Sequence, residues 1–325
     1  MQAITIARPT AITQDEDIAS LVNEWKLQLR LQVASGEIAD STRVTYERGM
    51  DKFMSWLQAQ DVYQIDSDDI RRWLAEMRAT SKVDTANTHY HGVRHFFAWA
   101  VGKRRLFYDP TTGVKGAKRI ASRAHKRDIL SDAEVRAVLA QPDTATAAGK
   151  RDAAILYLKA FTGVRDVELH RADLSDLRVI NGSLLLYIRG KGRQESDEYV
   201  VVDNPQAQDA IHAWLSVRGG LPGALFLSLS RRNSKGSLED RRLSLRSIRE
   251  LIIGYYQAAG VYNPDGRKSS HSLRHTAITS AFVHGASVPQ VKVMARHKSE
   301  DTTMGYYHAI DRLQNPGERF IRYDD

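Results

Sequence analysis

Within roughly the last sixty residues, His271, Arg274, His297 and Tyr306 follow one another in an ordered series. A further arginine, Arg165, stands far upstream in the run Thr162-Gly163-Val164-Arg165. These residue types suit a phosphate clamp with a nucleophile. A phosphodiester under attack spreads negative charge over its non-bridging oxygens, and planar guanidinium groups meet those oxygens with paired, charge-assisted hydrogen bonds. Two arginines and two imidazoles can neutralise charge that other phosphoryl-transfer enzymes give to metal ions. Tyrosine adds an oxygen nucleophile able to hold a covalent intermediate and release it.

The elements that must position these groups come from hydrophobic periodicity and cap signals. Ser269-Ser270 is predicted to cap a helix with His271 and Arg274 in its first turn, an end that attracts phosphate through its free N–H groups. Taken alone, that pair reads equally as a capped surface helix with an incidental basic turn. Ser287-Val288-Pro289 opens a helix running to Arg296-His297. Ser299-Glu300-Asp301 caps the next, which carries Tyr306, Tyr307 and His308. Adjacent helical residues point about 100° apart, so only one of the two tyrosines can face a given phosphate.

Upstream, the stretch from Asp17 to Gly102 reads as helices only. Ile18, Leu21, Val22, Trp25, Leu29 and Val33 recur at helical spacing. Further helices open at Asp40-Ser41-Thr42, near Ser67-Asp68-Asp69, and near Asp84, giving a four-helix bundle with aromatic-rich faces. Lys115, Lys118, Arg119, Arg123, Lys126 and Arg127 then form a basic run among Gly, Ala and Ser, either a solvated linker or one that tracks a phosphate backbone. A second domain starts at Leu130, where Ser131 or Asp132 caps a helix and Glu134 completes a capping box. Leu184–Ile188 and Tyr199–Val202 flank Gly190-Lys191-Gly192-Arg193 as a predicted hairpin. From Gln206 onward the pattern is mostly helical, with a second basic stretch that includes Arg241 and Arg242.

Composition narrows the function classes. The 325 residues favour two domains, and a net charge of +8 favours a polyanionic partner. The absence of cysteine excludes thiolate metal sites, disulfides and cysteine nucleophiles. The eleven histidines form no His-Glu-x-x-His pair and no carboxylate run has calcium-loop spacing, so no metal site is expected. No secretory signal and no apolar run of about eighteen residues is evident, which points to a cytoplasmic protein without a membrane span.

The motifs resemble those of the tyrosine recombinase (phage integrase) family, over most of the chain. Thr162-Gly163-Val164-Arg165-Asp166-Val167-Glu168-Leu169 looks like the family's first arginine motif, and Gly190-Lys191-Gly192 like its hairpin lysine. His271-Ser272-Leu273-Arg274-His275-Thr276 resembles the His-x-x-Arg box, Arg296-His297-Lys298-Ser299 the second histidine, and Thr302 to His308 the nucleophile segment. Tyr306 stands in register nine residues after His297.

The resemblance implies a mainly α fold with a small β-sheet: a SAM-like core-binding bundle (1–114), a basic linker (115–128) and an α+β catalytic domain (129–325). It implies a site-specific DNA recombinase in which Arg165 and Arg274 hold the scissile phosphate and Tyr306 attacks it, giving a 3′-phosphotyrosyl intermediate. Lys191 would be the general acid, with Arg193 as its rival; His271 would assist proton transfer, His297 would bond a phosphate oxygen, and Glu168 would support them. The partners implied are double-stranded DNA, a homotetramer on two sites, and accessory directionality factors; no cofactor is implied. The alternatives are a type IB topoisomerase-like enzyme and a non-catalytic DNA-binding protein on the same fold.

The family usually has Gly where Arg296 stands, and an arginine there either tightens phosphate contact or alters the turn. Gly305 weakens its helix by about 1 kcal/mol relative to Ala, so the nucleophile's segment is expected to be mobile off DNA. The apolar tail after Pro316 either packs on a neighbouring protomer or folds back, and the short stretch before the first helix leaves no room for an arm-binding domain.

Overall fold

In the computed structural model, residues 5–6, 18–60, 64–117, 129–188, 198–229, 238–262 and 268–306 are described. The chain divides into two compact units, Met1–Ala121 and Ser122–Asp325. The division falls inside the basic run at 115–128.

The first unit contains α1 (Ile18–Ala34), α2 (Asp40–Ala59), α3 (Ser67–Thr80) and α4 (Val83–Gly102). Each buries one stripe. On α1 the residues Ile18, Leu21, Val22, Trp25 and Leu29 are all buried, the spacing of a helix with one core-facing side. α3 starts at a reciprocal capping box, in which the Asp66 carboxylate accepts from the Asp68 and Asp69 amides and Asp69 accepts from the Asp66 amide. α2 and α4 cross backbone to backbone at two glycines: a Cβ on Gly49 would lie 2.3 Å from the His89 carbonyl oxygen, and one on Gly92 would lie 2.4 Å from that of Tyr46. Around this crossing Phe53, Trp73, Phe96 and Phe97 meet mostly edge to face. The stretch is not purely helical, however. Gln64–Ile65 (β2) pairs in parallel with Thr5–Ile6 (β1), a two-residue ladder too short to carry a periodic signal.

The second unit opens with α5 (Asp132–Leu139), capped by Ser131 with Glu134 closing the capping box, and continues through α6 (Ala147–Thr162) and α7 (Asp166–Arg171). A three-stranded antiparallel sheet follows, in the order β3 (Leu177–Ile180), β4 (Ser183–Tyr187), β5 (Tyr199–Val201). The predicted hairpin is β4–β5; β3 was absent from the sequence reading. It is joined to β4 by Asn181-Gly182, both with positive φ, the two-residue turn that matches strand twist. A second antiparallel pair, β6 (Leu227–Leu229) and β7 (Leu238–Arg242), interrupts the region expected to be helical. α8 (Pro205–Arg218), α9 (Leu245–Ala258), α10 (Ser272–Val283) and α11 (Val288–Ala295) complete the named elements, and a helical segment occupies 300–306. Trp214, Phe226, Tyr256 and Ile248 are buried at the centre of this unit. Among the described residues no helix is long and apolar enough to cross a membrane.

Candidate active site

α6 ends in a left-handed cap at Gly163 (φ 63°), whose amide donates to the Lys159 carbonyl at 3.1 Å. Glycine adopts this conformation without the steric penalty a side chain would bring. The cap turns the chain so that Arg165 is the N-cap of α7. Its guanidinium donates to Glu168 Oε1 at 2.7 Å, to the Ala295 carbonyl at 3.2 Å and to the Arg296 carbonyl at 3.0 Å.

Arg274, on the first turn of α10, is 4% exposed. It donates to the Gly163 carbonyl at 2.5 Å and to the Ala295 carbonyl at 2.5 Å. Two guanidiniums from distant segments therefore converge on one carbonyl, at the C-terminal and electronegative end of α11. Burial lowers the Arg274 pKa to about 10, and the positive charges of Arg165 and Arg296 push the same way, against Glu168 and Tyr306. It remains charged at neutral pH. With five N–H donors on a guanidinium, each arginine keeps donors beyond those that fix its plane.

Glu168 ties the cluster together. It accepts from the Arg165 amide at 2.6 Å and guanidinium, and from Arg296 Nη2 at 2.6 Å. Burial raises its pKa, yet the charge and hydrogen bonds of Arg296 and Arg165 outweigh that and hold the carboxyl below its usual range. Arg296 itself sits in the left-handed region, φ 52°, as the C-cap of α11. This explains why glycine suits the position; the path of the side chain is a separate matter. The side chain is turned inward, 3% exposed, onto Glu168 and the Met294 carbonyl.

His271 is the N-cap residue of α10, not a first-turn residue. Ser269 meets the start of the helix as a capping serine does, its Oγ accepting from the His271 amide at 3.3 Å and its amide donating to Ser272 Oγ at 3.0 Å, whereas Ser270 Oγ donates to Asp166 Oδ2 at 2.7 Å. His271 Nδ1 lies 3.1 Å from the same carboxylate oxygen. His297 bonds Thr303 Oγ1 at 2.9 Å through Nδ1. The Tyr306 ring lies between two imidazoles, with centroids 5.5 Å from His275 and 5.9 Å from His297, and its hydroxyl bonds His275 Nδ1. Tyr306 is 3% exposed. The expectation of a loosely held nucleophile is thus opposed by a docked ring.

A sequence model of the phage integrase family matches residues 128–312, more than half of the chain. The chain belongs to the phage integrase, or tyrosine recombinase, family. A model of the family's N-terminal SAM-like domain matches residues 22–104 of this tyrosine recombinase. The tyrosine recombinase XerD of Pseudomonas putida is 30% identical over 283 residues, 85% of this chain and 90% of that protein. XerD of Lacticaseibacillus casei is 26% identical, covering 83% and 88%. In fold, the recombinase resembles XerH bound to a palindromic difH substrate (TM-score 0.68, 16% identity, 86% of this chain and 79% of that one). It also resembles a lambda integrase dimer bound to a core site (TM-score 0.66, 15% identity, 88% and 96%).

Of the remaining site expectations, Lys191 and Arg193 lie outside the described residues of the recombinase, as do Lys118, Arg119, Arg123, Lys126, Arg127 and Tyr307. Lys115 and Arg241 are exposed. Arg242 donates to the His170 and Ala172 carbonyls and pairs with Asp173, anchoring the end of α7 to β7. Sequence reasoning missed Asp166, Lys159 and His275. The first two carried a signal, a lysine in the otherwise apolar run Ala153–Ala160 and an acid seven residues later; His275 stood inside a quoted motif without a role.

Proposed function

We propose that this protein is a site-specific DNA recombinase that cleaves and rejoins double-stranded DNA through a 3′-phosphotyrosyl intermediate. The observation that carries the reading is the convergence of Arg165 and Arg274 on the Ala295 carbonyl, in the same unit as a tyrosine flanked by two imidazoles. A phosphate meeting those two forks is held by charge-assisted hydrogen bonds on two sides. The hydroxyl oxygen of Tyr306 attacks phosphorus, the bond to the 5′-oxygen breaks, and Lys191 protonates that leaving oxygen. His271 accepts the tyrosine proton, and His297 donates to a non-bridging oxygen. Because the phosphotyrosyl bond conserves the diester's energy, a new 5′-hydroxyl reverses the step without ATP.

In attacking phosphorus the Tyr306 hydroxyl exchanges its bond to His275 for the new oxygen–phosphorus bond. Lys115, Arg241 and the basic run at 118–127 contact the DNA backbone. Lambda integrase has been seen as a tetramer bound to a Holliday junction, and we extend that assembly to this chain: four copies on two sites in the cytoplasm, with directionality factors as further partners. The SAM-like region at 22–104 favours recombination over topoisomerase-like nicking and closing.

The test offers a pool of nicked duplexes with a randomised core to wild type, Tyr306→Phe and Tyr307→Phe, and measures covalent protein–DNA adduct. Adduct is expected with wild type and Tyr307→Phe and none with Tyr306→Phe. Adduct that survives in Tyr306→Phe and disappears in Tyr307→Phe would reassign the nucleophile.

A further inference from the structure

We propose that Asp166 is a positioning residue for His271: its buried carboxylate holds the imidazole with the proton on Nδ1, so that Nε2 is presented as a proton acceptor. The proposal rests on the recombinase reading above and adds to it a residue that acts on the substrate only through His271.

Asp166 has an ordinary use as well. It opens α7, where an acidic side chain complements the helix dipole, and its Oδ1 pairs with Lys159 at 2.5 Å, both side chains being fully buried. A charge pair of that kind needs only one carboxylate oxygen. The other, Oδ2, accepts from Ser270 Oγ at 2.7 Å and faces His271 Nδ1 at 3.1 Å, with Arg249 Nε at 3.5 Å. The groups around it come from three elements: Lys159 on α6, Arg249 and Tyr256 on α9, and Ser270 and His271 at the start of α10.

An ionised carboxylate is acceptor-only, so the ring atom that meets it must be a donor. In neutral His271 that places the hydrogen on Nδ1 and the lone pair on Nε2, on the far side of the ring. Burial alone would raise the Asp166 pKa; the bond to His271 and the charge and hydrogen bond of Lys159 outweigh it and hold the carboxyl far below its usual range. Asp166 therefore stays acceptor-only through neutral pH. Lys159, which also donates to the Val164 carbonyl at 3.3 Å, is the cation that allows the carboxylate to be buried. The result has the logic of a carboxylate that orients a catalytic imidazole and fixes its tautomer. In the cleavage step the proton leaves the Tyr306 hydroxyl for His271 Nε2 as the oxygen–phosphorus bond forms, and the proton of Lys191 goes to the departing 5′-oxygen.

Asp166→Asn separates positioning from packing. The ammonium of Lys159 can only donate, so it takes the amide oxygen, and the amide NH2 turns to His271. Nδ1 must then accept, and the ring proton moves to Nε2. The experiment reads the ring nitrogens of His271 by 15N NMR in DNA-free protein labelled at histidine, with His271→Gln giving the assignment. Wild type is expected to be protonated at Nδ1 and Asp166→Asn at Nε2. Adduct formation on duplexes that wild type recovers from the nicked pool is expected to fall on the order of 100-fold in Asp166→Asn. It should show no further loss when Asp166→Asn is added to His271→Ala. If the single variant fails to fold, Lys159→Met with Asp166→Leu removes the buried charge pair together and carries the coupling test, with no further loss of adduct expected in the His271→Ala background. An unchanged tautomer, or an equal loss in the His271→Ala background, overturns the proposal. Absence of adduct from wild type overturns the recombinase reading instead, while the tautomer measurement still tests the contact.

Discussion

The two units of this recombinase solve the problem of an interior in opposite ways. The N-terminal bundle closes on rings and glycines: Trp25, Phe53, Trp73, Phe96 and Phe97 are buried, and few charged groups join them. The catalytic unit buries Lys159, Asp166, Glu168, Arg274 and Arg296 within its fold. An aromatic core needs only area removed from water, whereas a buried ion needs a partner in place, since stranding one is costly. The bundle can therefore tolerate imprecision that the catalytic unit cannot. A phosphate clamp requires guanidiniums held in fixed planes, and that rigidity is supplied by the charge network beneath them.

The largest expected effect breaks that network. Lys159→Met leaves Asp166 buried without its cation and should cost about 3–5 kcal/mol. Chemical denaturation should show the loss in the transition of the catalytic unit alone; an equal loss in the bundle's transition would mean that the two interiors are not independent. In the bundle the sensitive points are the glycines. Gly49→Ala improves helix propensity, yet its Cβ would meet the His89 carbonyl at 2.3 Å. A net destabilisation of about 1–3 kcal/mol is expected, opposite in sign to propensity. Thermal melts of the bundle in the variant decide the sign.

At the edge of the charge network, Arg296→Gly and Arg296→Ala both remove one of the two arginines paired with Glu168, but only alanine must hold φ near 52°. The glycine variant should be more stable by about 1 kcal/mol, measured as the difference in urea midpoints. Equal midpoints would show that the backbone relaxes.

The gentlest probe is pH. In the bundle, burial depresses the pKa of His89 and His95, so the unfolded chain takes up protons first. Stability should fall as pH drops below the ordinary histidine value near 6.5. The Asp166 and Glu168 carboxyls are depressed in the folded state. Their contribution is present above the unfolded carboxylate range and is lost only as pH falls below it; Asp152, raised by burial, acts in the opposite direction. A titration of hydrogen-exchange protection from pH 7 downward should therefore weaken the bundle before the catalytic unit.

The same contrast explains what was legible in the sequence. The bundle's helices follow from local periodicity and caps, as Ile18 to Leu29 and Ser67-Asp68-Asp69 illustrate. The catalytic motifs were legible as residue types in order. Their connections were not: Arg165 reaches Ala295 and Arg274 reaches Gly163 across more than a hundred residues, and no spacing rule encodes such pairings. Arg242 looked like a surface cation because nothing local announces that its fork closes on His170, Ala172 and Asp173. Asn181-Gly182, by contrast, was a local hairpin signal that passed unread, and with it β3.

One feature of the site also bears on how the chain folds. The Gly163 turn belongs to a local segment that can form early, but its carbonyl is capped by Arg274 from 111 positions further along the chain. Loop closure over that distance is entropically opposed until other contacts repay it, so such contacts form late. Nascent or partly unfolded chains would then carry the nucleophile without its clamp. Competence to cut would arrive with the final collapse of the catalytic unit, making completed folding itself the safeguard against premature strand breakage.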